Sequence, residues 1–333
     1  MTIVGDALAT AAGMLDDRLG ERVRRDVPLA PMTTYRVGGQ AAVFVDAADV
    51  EDLRAVAEVR RATGVAVLVV GRGSNMLVAD AGFDGIALSI AGFADTIELP
   101  DTRGDAGTEC IVSAGGGVSL PVLARRTAAA GITGFEWAVG VPGSIGGAVR
   151  MNAGGHGSDM AACVIDVDVF DLGSAEAVTT LAVDALGLRF RASSLAPSAV
   201  VVSARLRLAV GDREASEREI AEIVRWRREH QPGGQNCGSV FVNPVPFEVS
   251  AGGLIDSLGL RGFRIGTAWV SEKHANFVQA GDGGRAADVR AVIEAVRARV
   301  AAETGYRLRS EVRLVGFDDA DPMSFDDRLE AGE

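Results

Sequence analysis

The sequence has too little of several features to belong to the classes that need them. No run approaches the ~18 consecutive apolar residues of a membrane-spanning helix, so membrane insertion is not expected. The three cysteines, Cys110, Cys163 and Cys237, are odd in number and show no Cys-x-x-Cys spacing. That excludes a disulfide or zinc framework and points to reduced thiols in a cytoplasmic protein. Only three histidines are present, none at metal-ligand spacing, so no metal site is expected. Basic residues are outnumbered, 33 against 45, and the formal net charge is −12. Such a chain is a poor partner for nucleic acid, whose phosphates need a basic surface. An anionic small ligand would have to be met by local arginines and backbone N–H groups. The N-terminal stretch carries Asp6, Asp16, Asp17 and Glu21 among its apolar positions, which is not the pattern of a secretory leader. No period of about 20–50 residues recurs, which removes the repeat architectures.

What the 333 residues do have is a core and abundant glycine. The length allows two or three domains, the 48% of hydrophobic residues suits a globular core, and the 42 glycines suggest loops built from backbone. Residues 46–62 read as a helix with Leu53, Val56 and Ala57 on one face and Gly64 as its stop. A second helix spans 119–130, with Ser119 as N-cap and Gly131 at its end. The capping box Ser216-x-x-Glu219 opens a third, ending before Gln231. A fourth runs over 286–304 with Val289, Val292, Ile293, Val296 and Val300 inward. Residues 65–70 and 85–90 read as strands, and 162–208 as short strands and turns. The fold class is α+β.

The strand at 65–70 delivers the chain into Gly71-Arg72-Gly73-Ser74-Asn75, where small residues let consecutive N–H groups converge on an anion. A Rossmann fingerprint needs a helix directly after the loop, and the continuation here is strand-like, so that reading fails. Taken alone, the loop is equally a tight turn between strands. A second small-residue segment, 141–148, lies about 70 residues further on, inside a stretch (139–157) too glycine-rich for a regular element. Two such loops suit a long dinucleotide. The order of segments resembles the vanillyl-alcohol-oxidase type of FAD-binding fold.

Within that fold the chain resembles the UDP-N-acetylenolpyruvoylglucosamine reductase family. The resemblance is carried, in the family's order, by TTYRVGG (33–39), GRGSNMLV (71–78), GFEWAVGVPGSIGGAVRMNAGGHG (134–157) and FRASS (190–194). It continues through CGSVFVNP (237–244), SEKHANF (271–277) and SEVRLVGF (310–317). It implies an FAD-binding region over 1–211, in two subdomains divided near residue 90, and a substrate-binding domain over 212–305. A strand over 306–320, carrying Glu311, would return to the FAD region. Non-covalent FAD would be held by Tyr35, Gly71, Arg72, Gly73, Ser74, Asn75, Met76, Gly115, Pro142, Gly143, Ser144, Gly146, Gly147 and Ala148. NADPH is the implied co-substrate. The implied substrate is a small nucleotide sugar, the enolpyruvyl ether of UDP-N-acetylglucosamine, reduced in cytoplasmic peptidoglycan synthesis by a monomer or weak oligomer.

Three residues match the family's catalytic positions. Arg191 would bind the enolpyruvyl carboxylate, Glu311 would stabilise charge developing in the reaction, and Ser239 would protonate the alpha carbon. By themselves these are a strand-edge Arg, a strand Glu paired with Arg313, and a turn hydroxyl. Asn243, Lys273, His274 and Asn276 are the implied substrate contacts. Trp137 and Trp226 are expected in packing, His156 beside backbone in its loop, and Cys237 in no catalytic role. Phe190 and Val242 depart from the family pattern, which has Tyr at the first position and a polar or basic residue at the second. Two other readings stay open: an alcohol or sugar oxidase of the same fold, which often tethers FAD through a loop His that is absent here, and a non-catalytic flavin-binding protein.

Overall fold

A computed structural model of the chain describes residues 3–101, 105–174, 177–245 and 248–317. The chain forms two compact units. The first comprises Met1–Asp26, Ala42–Arg72 and Asp84–Arg227; the second comprises Val27–Ala41, Gly73–Phe83 and Arg228–Glu333. The division differs from the boundaries expected at 211 and 305. Residues 212–227 belong to the first unit, because Ile220 and Ile223 are buried in its core.

In the first unit, helices α1 (Ile3–Leu19) and α2 (Val50–Thr63) bury Leu15, Leu53 and Val56 in one core with Ile86 and Leu88. Strand Phe83–Ser89, which carries these last two, lies in a four-stranded sheet with Val23–Pro28, Gln40–Asp46 and Val67–Val69. Helix α2 starts later than its periodicity indicates, at Asp49, whose carboxylate accepts from Asp52 N at 3.0 Å. It ends where expected, at Gly64 with φ +71°, the left-handed conformation that glycine adopts without penalty. A second sheet is centred on the 12-residue strand Ala199–Val210, antiparallel to both Val164–Asp171 and Glu109–Gly115. The short strands expected over 162–208 are thus partly long ones. Helix α3 (Leu120–Ala129) begins after Ser119, but that hydroxyl makes no capping bond. Helix α4 (Ile145–Arg150) occupies the second glycine segment, where glycine content argues against a regular element.

Helix α5 (Arg213–His230) opens one turn before its apparent capping box. Asp212 provides the cap, accepting from Ala215 N at 3.0 Å. Ser216 is instead buried and donates to the Glu136 carboxylate, which also accepts from Thr133 Oγ1 at 2.8 Å and Gly134 N at 2.7 Å. Burial pushes the Glu136 carboxyl up, and these donors outweigh it and hold it below its ordinary value. The box pattern was a tertiary contact in local disguise.

The second unit builds its core from α6 (Ala251–Ser257), α7 (Ala286–Thr304) and the antiparallel strands Arg264–Ile265, Ala268–Val270 and Val278–Ala280. Helix α7 buries all five expected apolar residues. Its N-terminus is capped from outside the helix, with Asp80 accepting from Ala286 N at 2.8 Å and Ala287 N at 3.0 Å. Of the strand expected over 306–320, Arg313–Val315 is extended and pairs in parallel with Met76–Val78; residues 318–320 lie outside the described residues. Glu311 precedes that strand. Among the described residues no helix is long and apolar enough to cross a membrane, and no cluster of His, Cys, Asp or Glu could hold a metal.

Candidate functional site

Strand Met76–Val78, with Leu77 in the second unit's core, continues the chain from the first glycine loop. The Gly73 carbonyl accepts from Thr34 N at 3.2 Å, and the Asn75 carbonyl accepts from Arg313 N at 3.0 Å. In a planar trans peptide, the N–H that follows a carbonyl points the opposite way. Ser74 N–H therefore faces away from Thr34, and Met76 N–H away from Arg313. Gly73 adopts φ +55°, and a Cβ there would meet Met32 O at 2.2 Å, so glycine is required by the chain's own backbone as well as by any ligand. The buried Thr34 Oγ1 beside this loop has no hydrogen-bond partner in the structure. An orphaned hydroxyl and outward N–H groups fit a phosphate-bearing cofactor. Arg72 is exposed, whereas Tyr35 is wholly buried in the core beside Cys237. Burial foremost, with that thiol adding, raises the Tyr35 phenol well above its ordinary value.

The second glycine loop is held the other way round. Gly143 N donates to Val141 O at 2.9 Å, Ile145 N to Val118 O at 2.9 Å and Gly146 N to Gly116 O at 2.8 Å. Those N–H groups are turned into the protein. Ser144 caps α4 by accepting from Gly147 N at 3.5 Å, while Ala148 N donates to the Ser144 carbonyl at 2.8 Å. A Cβ on Gly71, at the start of the first loop, would lie 2.7 Å from Ser144 Oγ. Gly115 is needed for close approach as well, since its Cβ would meet Ala94 O at 2.3 Å. Pro142 follows Val141 on this loop and precedes the turn into α4.

Arg191 belongs to the first unit and sits at the corner of a tight turn. Arg189 N and Ala192 N each donate to the other residue's carbonyl, at 3.0 and 3.1 Å, leaving Phe190 and Arg191 at the tip. Arg191 adopts φ +57°, and its guanidinium donates to Gly154 O at 3.2 Å while lying over the Phe190 ring. Asn152 (φ +38°) donates to Arg189 O at 3.3 Å, and His156 has φ +51°. Asn152 and Arg191, both in left-handed backbone, are thus joined through the turn at Arg189. Such strain persists only where surrounding contacts enforce it, and it concentrates at functional sites. Phe190 is 64% exposed. His156 and Trp226 meet in a T-shaped contact and Trp226 is 44% exposed, while Trp137 is buried.

The second unit contains a cleft of about 350 Å³ lined by Ser239, Asn243, Lys273, His274, Asn276 and Arg261, among others. It brings together one expected catalytic residue and all four expected substrate contacts. Asn243 Oδ1 accepts from Ala251 N at 3.0 Å, so this side chain anchors the start of α6. His274 Nδ1 accepts from Asn276 N at 3.2 Å, which fixes the neutral tautomer with its proton on Nε2. Burial lowers the imidazole's pKa, the Arg261 cation lowers it further, and a backbone hydrogen bond opposes both. Lys273 donates to the Arg228 carbonyl, and Arg261 binds Asp256 through two nitrogens at 2.6 and 3.0 Å.

Glu311 is tied beside the Ser239 segment through its backbone. Its N–H donates to Val240 O at 2.7 Å, and its carbonyl accepts from Asn75 Nδ2 at 2.7 Å. Burial pushes the Cys237 thiol up to about 12; the Tyr35 hydroxyl works against that shift and the Glu311 carboxylate adds to it. One residue of this site was not among the expected contacts. Arg261 lies on the cleft wall, but nothing marks one arginine in a chain with so many. Lys273, which was expected, is the only lysine in the chain, among 33 basic residues.

The model of the UDP-N-acetylenolpyruvoylglucosamine reductase C-terminal domain matches residues 230–315, and an FAD binding domain model matches residues 41–180. The chain is 43% identical over 291 residues to the UDP-N-acetylenolpyruvoylglucosamine reductase of Heliobacterium modesticaldum, covering 87% of this chain and 89% of that one. It is 39% identical over 322 residues to that of Anaeromyxobacter sp., covering 95% and 94%. The crystal structure of the Thermus caldophilus enzyme superposes with a TM-score of 0.73 at 35% identity, covering 88% of this chain and 99% of that one. The chain belongs to the UDP-N-acetylenolpyruvoylglucosamine reductase family.

Proposed function

We propose that the chain is an FAD-dependent reductase that converts the enolpyruvyl ether of UDP-N-acetylglucosamine to UDP-N-acetylmuramate at the expense of NADPH. Its place would be cytoplasmic peptidoglycan synthesis, and so cell shape and division. The observation that carries the reading is the backbone chain of contacts at Glu311, which joins the Ser239 segment on one side and Asn75 of the glycine loop on the other. A proton donor, a charge-stabilising carboxyl and a cofactor loop are thereby held by one short stretch.

The residues that would hold FAD are the first glycine loop, Gly71 to Met76, with Gly115 and the loop from Pro142 to Ala148, in an arrangement of the vanillyl-alcohol-oxidase type. Bound FAD supplies two-electron transfer from NADPH to the enolpyruvyl group. The chain's own residues do the rest. Arg191, a planar donor, binds the substrate carboxylate. As the methylene carbon is reduced, negative charge builds on the alpha carbon and its carboxylate, and Glu311 stabilises it through a shared proton. Ser239 Oγ then gives its proton to the alpha carbon. A serine hydroxyl is a weak acid, but an enolate is base enough to take its proton. Lys273 supplies a compact charge and His274 a neutral Nε2–H donor to the nucleotide's anionic oxygens.

Purified protein should be yellow and release FAD on denaturation. Under anaerobic conditions NADPH should bleach the flavin and the enolpyruvyl nucleotide sugar should restore it. Rapid reoxidation by oxygen with indifference to the nucleotide sugar would favour an oxidase. Colourless protein that takes up no added FAD would end the reading.

A further inference from the structure

Asn276 was expected to touch substrate, yet its two polar atoms face the protein. Its Oδ1 accepts from Phe241 N at 3.0 Å and its Nδ2 donates to Phe241 O at 2.8 Å. Its own carbonyl accepts from Val240 N at 2.8 Å. One carboxamide thus satisfies both main-chain groups of Phe241, as a neighbouring strand would. The other side of the same stretch is bound by main chain: Val242 N donates to Arg309 O at 2.9 Å and Glu311 N to Val240 O at 2.7 Å. Asn276 is 5% exposed, and Val240 and Phe241 are buried too, so no solvent can replace these bonds cheaply.

Ser239 immediately precedes this clamped stretch. On its other side stands Gly238 with φ +82°, a conformation glycine adopts freely, with its N–H donating to Asn236 Oδ1 at 3.0 Å. The main chain at Ser239 is therefore held on both sides, and on its C-terminal side the hold comes from Asn276 and the 309–311 segment. We infer that Asn276 is a positioning residue for proton delivery: its carboxamide fixes the Val240–Phe241 backbone so that Ser239 Oγ meets the alpha carbon from one direction. This rests on the reductase reading above and deepens it. The proton moves from Ser239 Oγ to the alpha carbon as that carbon, carrying the electron pair of the former double bond, becomes a stereocentre. Neither atom of Asn276 enters the reaction.

The test is a double-mutant cycle on the holoenzyme, with the two half-reactions read separately by flavin absorbance. Asn276→Ala should leave reduction by NADPH unchanged and slow reoxidation by the enolpyruvyl nucleotide sugar on the order of 10- to 100-fold, the scale on which a misplaced reacting group costs rate. In a Ser239→Ala background the same change should cost less than about 2-fold, because residues acting through one another are not additive. The product of Asn276→Ala should contain both configurations at the protonated carbon, and backbone amide exchange over 239–242 should accelerate in the protein without substrate. If Asn276→Ala does not fold, Asn276→Asp, which keeps the acceptor for Phe241 N and loses the donor to Phe241 O, carries the same cycle. Equal loss in both half-reactions, or an undiminished loss in the Ser239→Ala background, would overturn the inference. Wild-type enzyme that is not reoxidised by the nucleotide sugar would instead sink the reductase reading itself.

Discussion

At Gly73, Gly115 and Gly146 an added Cβ would meet carbonyl oxygens of the chain itself, at 2.2, 2.3 and 3.2 Å. Around Lys273 and His274 the cleft is instead formed by side chains whose polar ends reach into a space of about 350 Å³ or brace its walls. The glycine loops are therefore part of the fold's own packing, and phosphate approach is a second use of the same small residues. The cleft can lose a side chain and keep its walls. A ligand site made of main chain shares its fate with the fold, whereas one made of side chains can fail alone.

The largest effect separating the two regions is expected at Gly73→Ala. A left-handed φ costs a non-glycine residue roughly 1–2 kcal/mol, and the contact with Met32 O adds to that. Urea unfolding should show a loss above about 2 kcal/mol together with lost FAD, and Gly146→Ala, with a looser contact, should lose less. A fully stable Gly73→Ala that merely failed to hold FAD would break the comparison. Lys273→Ala should do the opposite, keeping its unfolding midpoint and its FAD. It should lose ~10- to 100-fold in affinity for the nucleotide sugar, the scale of a charge-assisted hydrogen bond. Because the chain has one lysine, amine-directed labelling followed by mass spectrometry checks this directly, and bound nucleotide sugar should protect that site.

A smaller effect sharpens the cleft's chemistry. His274 has a folded-state pKa below its ordinary value near 6.5, so the folded protein resists taking its proton. Its contribution to stability is fully present above about pH 6.5 and is lost as pH falls below that, through the folded pKa. The stability difference between wild type and His274→Gln should shrink over that acidic window and stay constant above it; a growing difference would mean that the imidazole is held as a cation. Smallest of all, thiol reagents should find Cys110, Cys163 and Cys237 unreactive in native protein, since all three are buried and their thiols raised. Three thiols should appear on denaturation.

Periodicity located the C-terminal helix well. Helix α7 and its five buried residues follow from spacing alone, because one face of a regular helix must be apolar wherever it packs. The Ser216 pattern misled because capping and tertiary hydrogen bonding ask for the same residue types, and only the fold brings Glu136 to Ser216. Glycine content marked both loops but could not give peptide orientation, which depends on partners such as Thr34 and Val118 far away in sequence. Motif order named Asn276 without its use, since a carboxamide that holds a backbone and one that holds a ligand look alike in one dimension. Arg261 had no signal of any kind.

In the proposed reduction Ser239 would deliver the proton to the alpha carbon. Stopped-flow flavin absorbance on Ser239→Ala tests it most directly. Reduction by NADPH forms no substrate enolate and should proceed nearly as in wild type. Reoxidation by the enolpyruvyl nucleotide sugar should slow by ~100- to 10,000-fold, the usual contribution of a positioned acid. Ser239→Cys, which keeps an exchangeable proton, should recover part of that loss. Equal slowing of both half-reactions, or no slowing of either, would contradict the account.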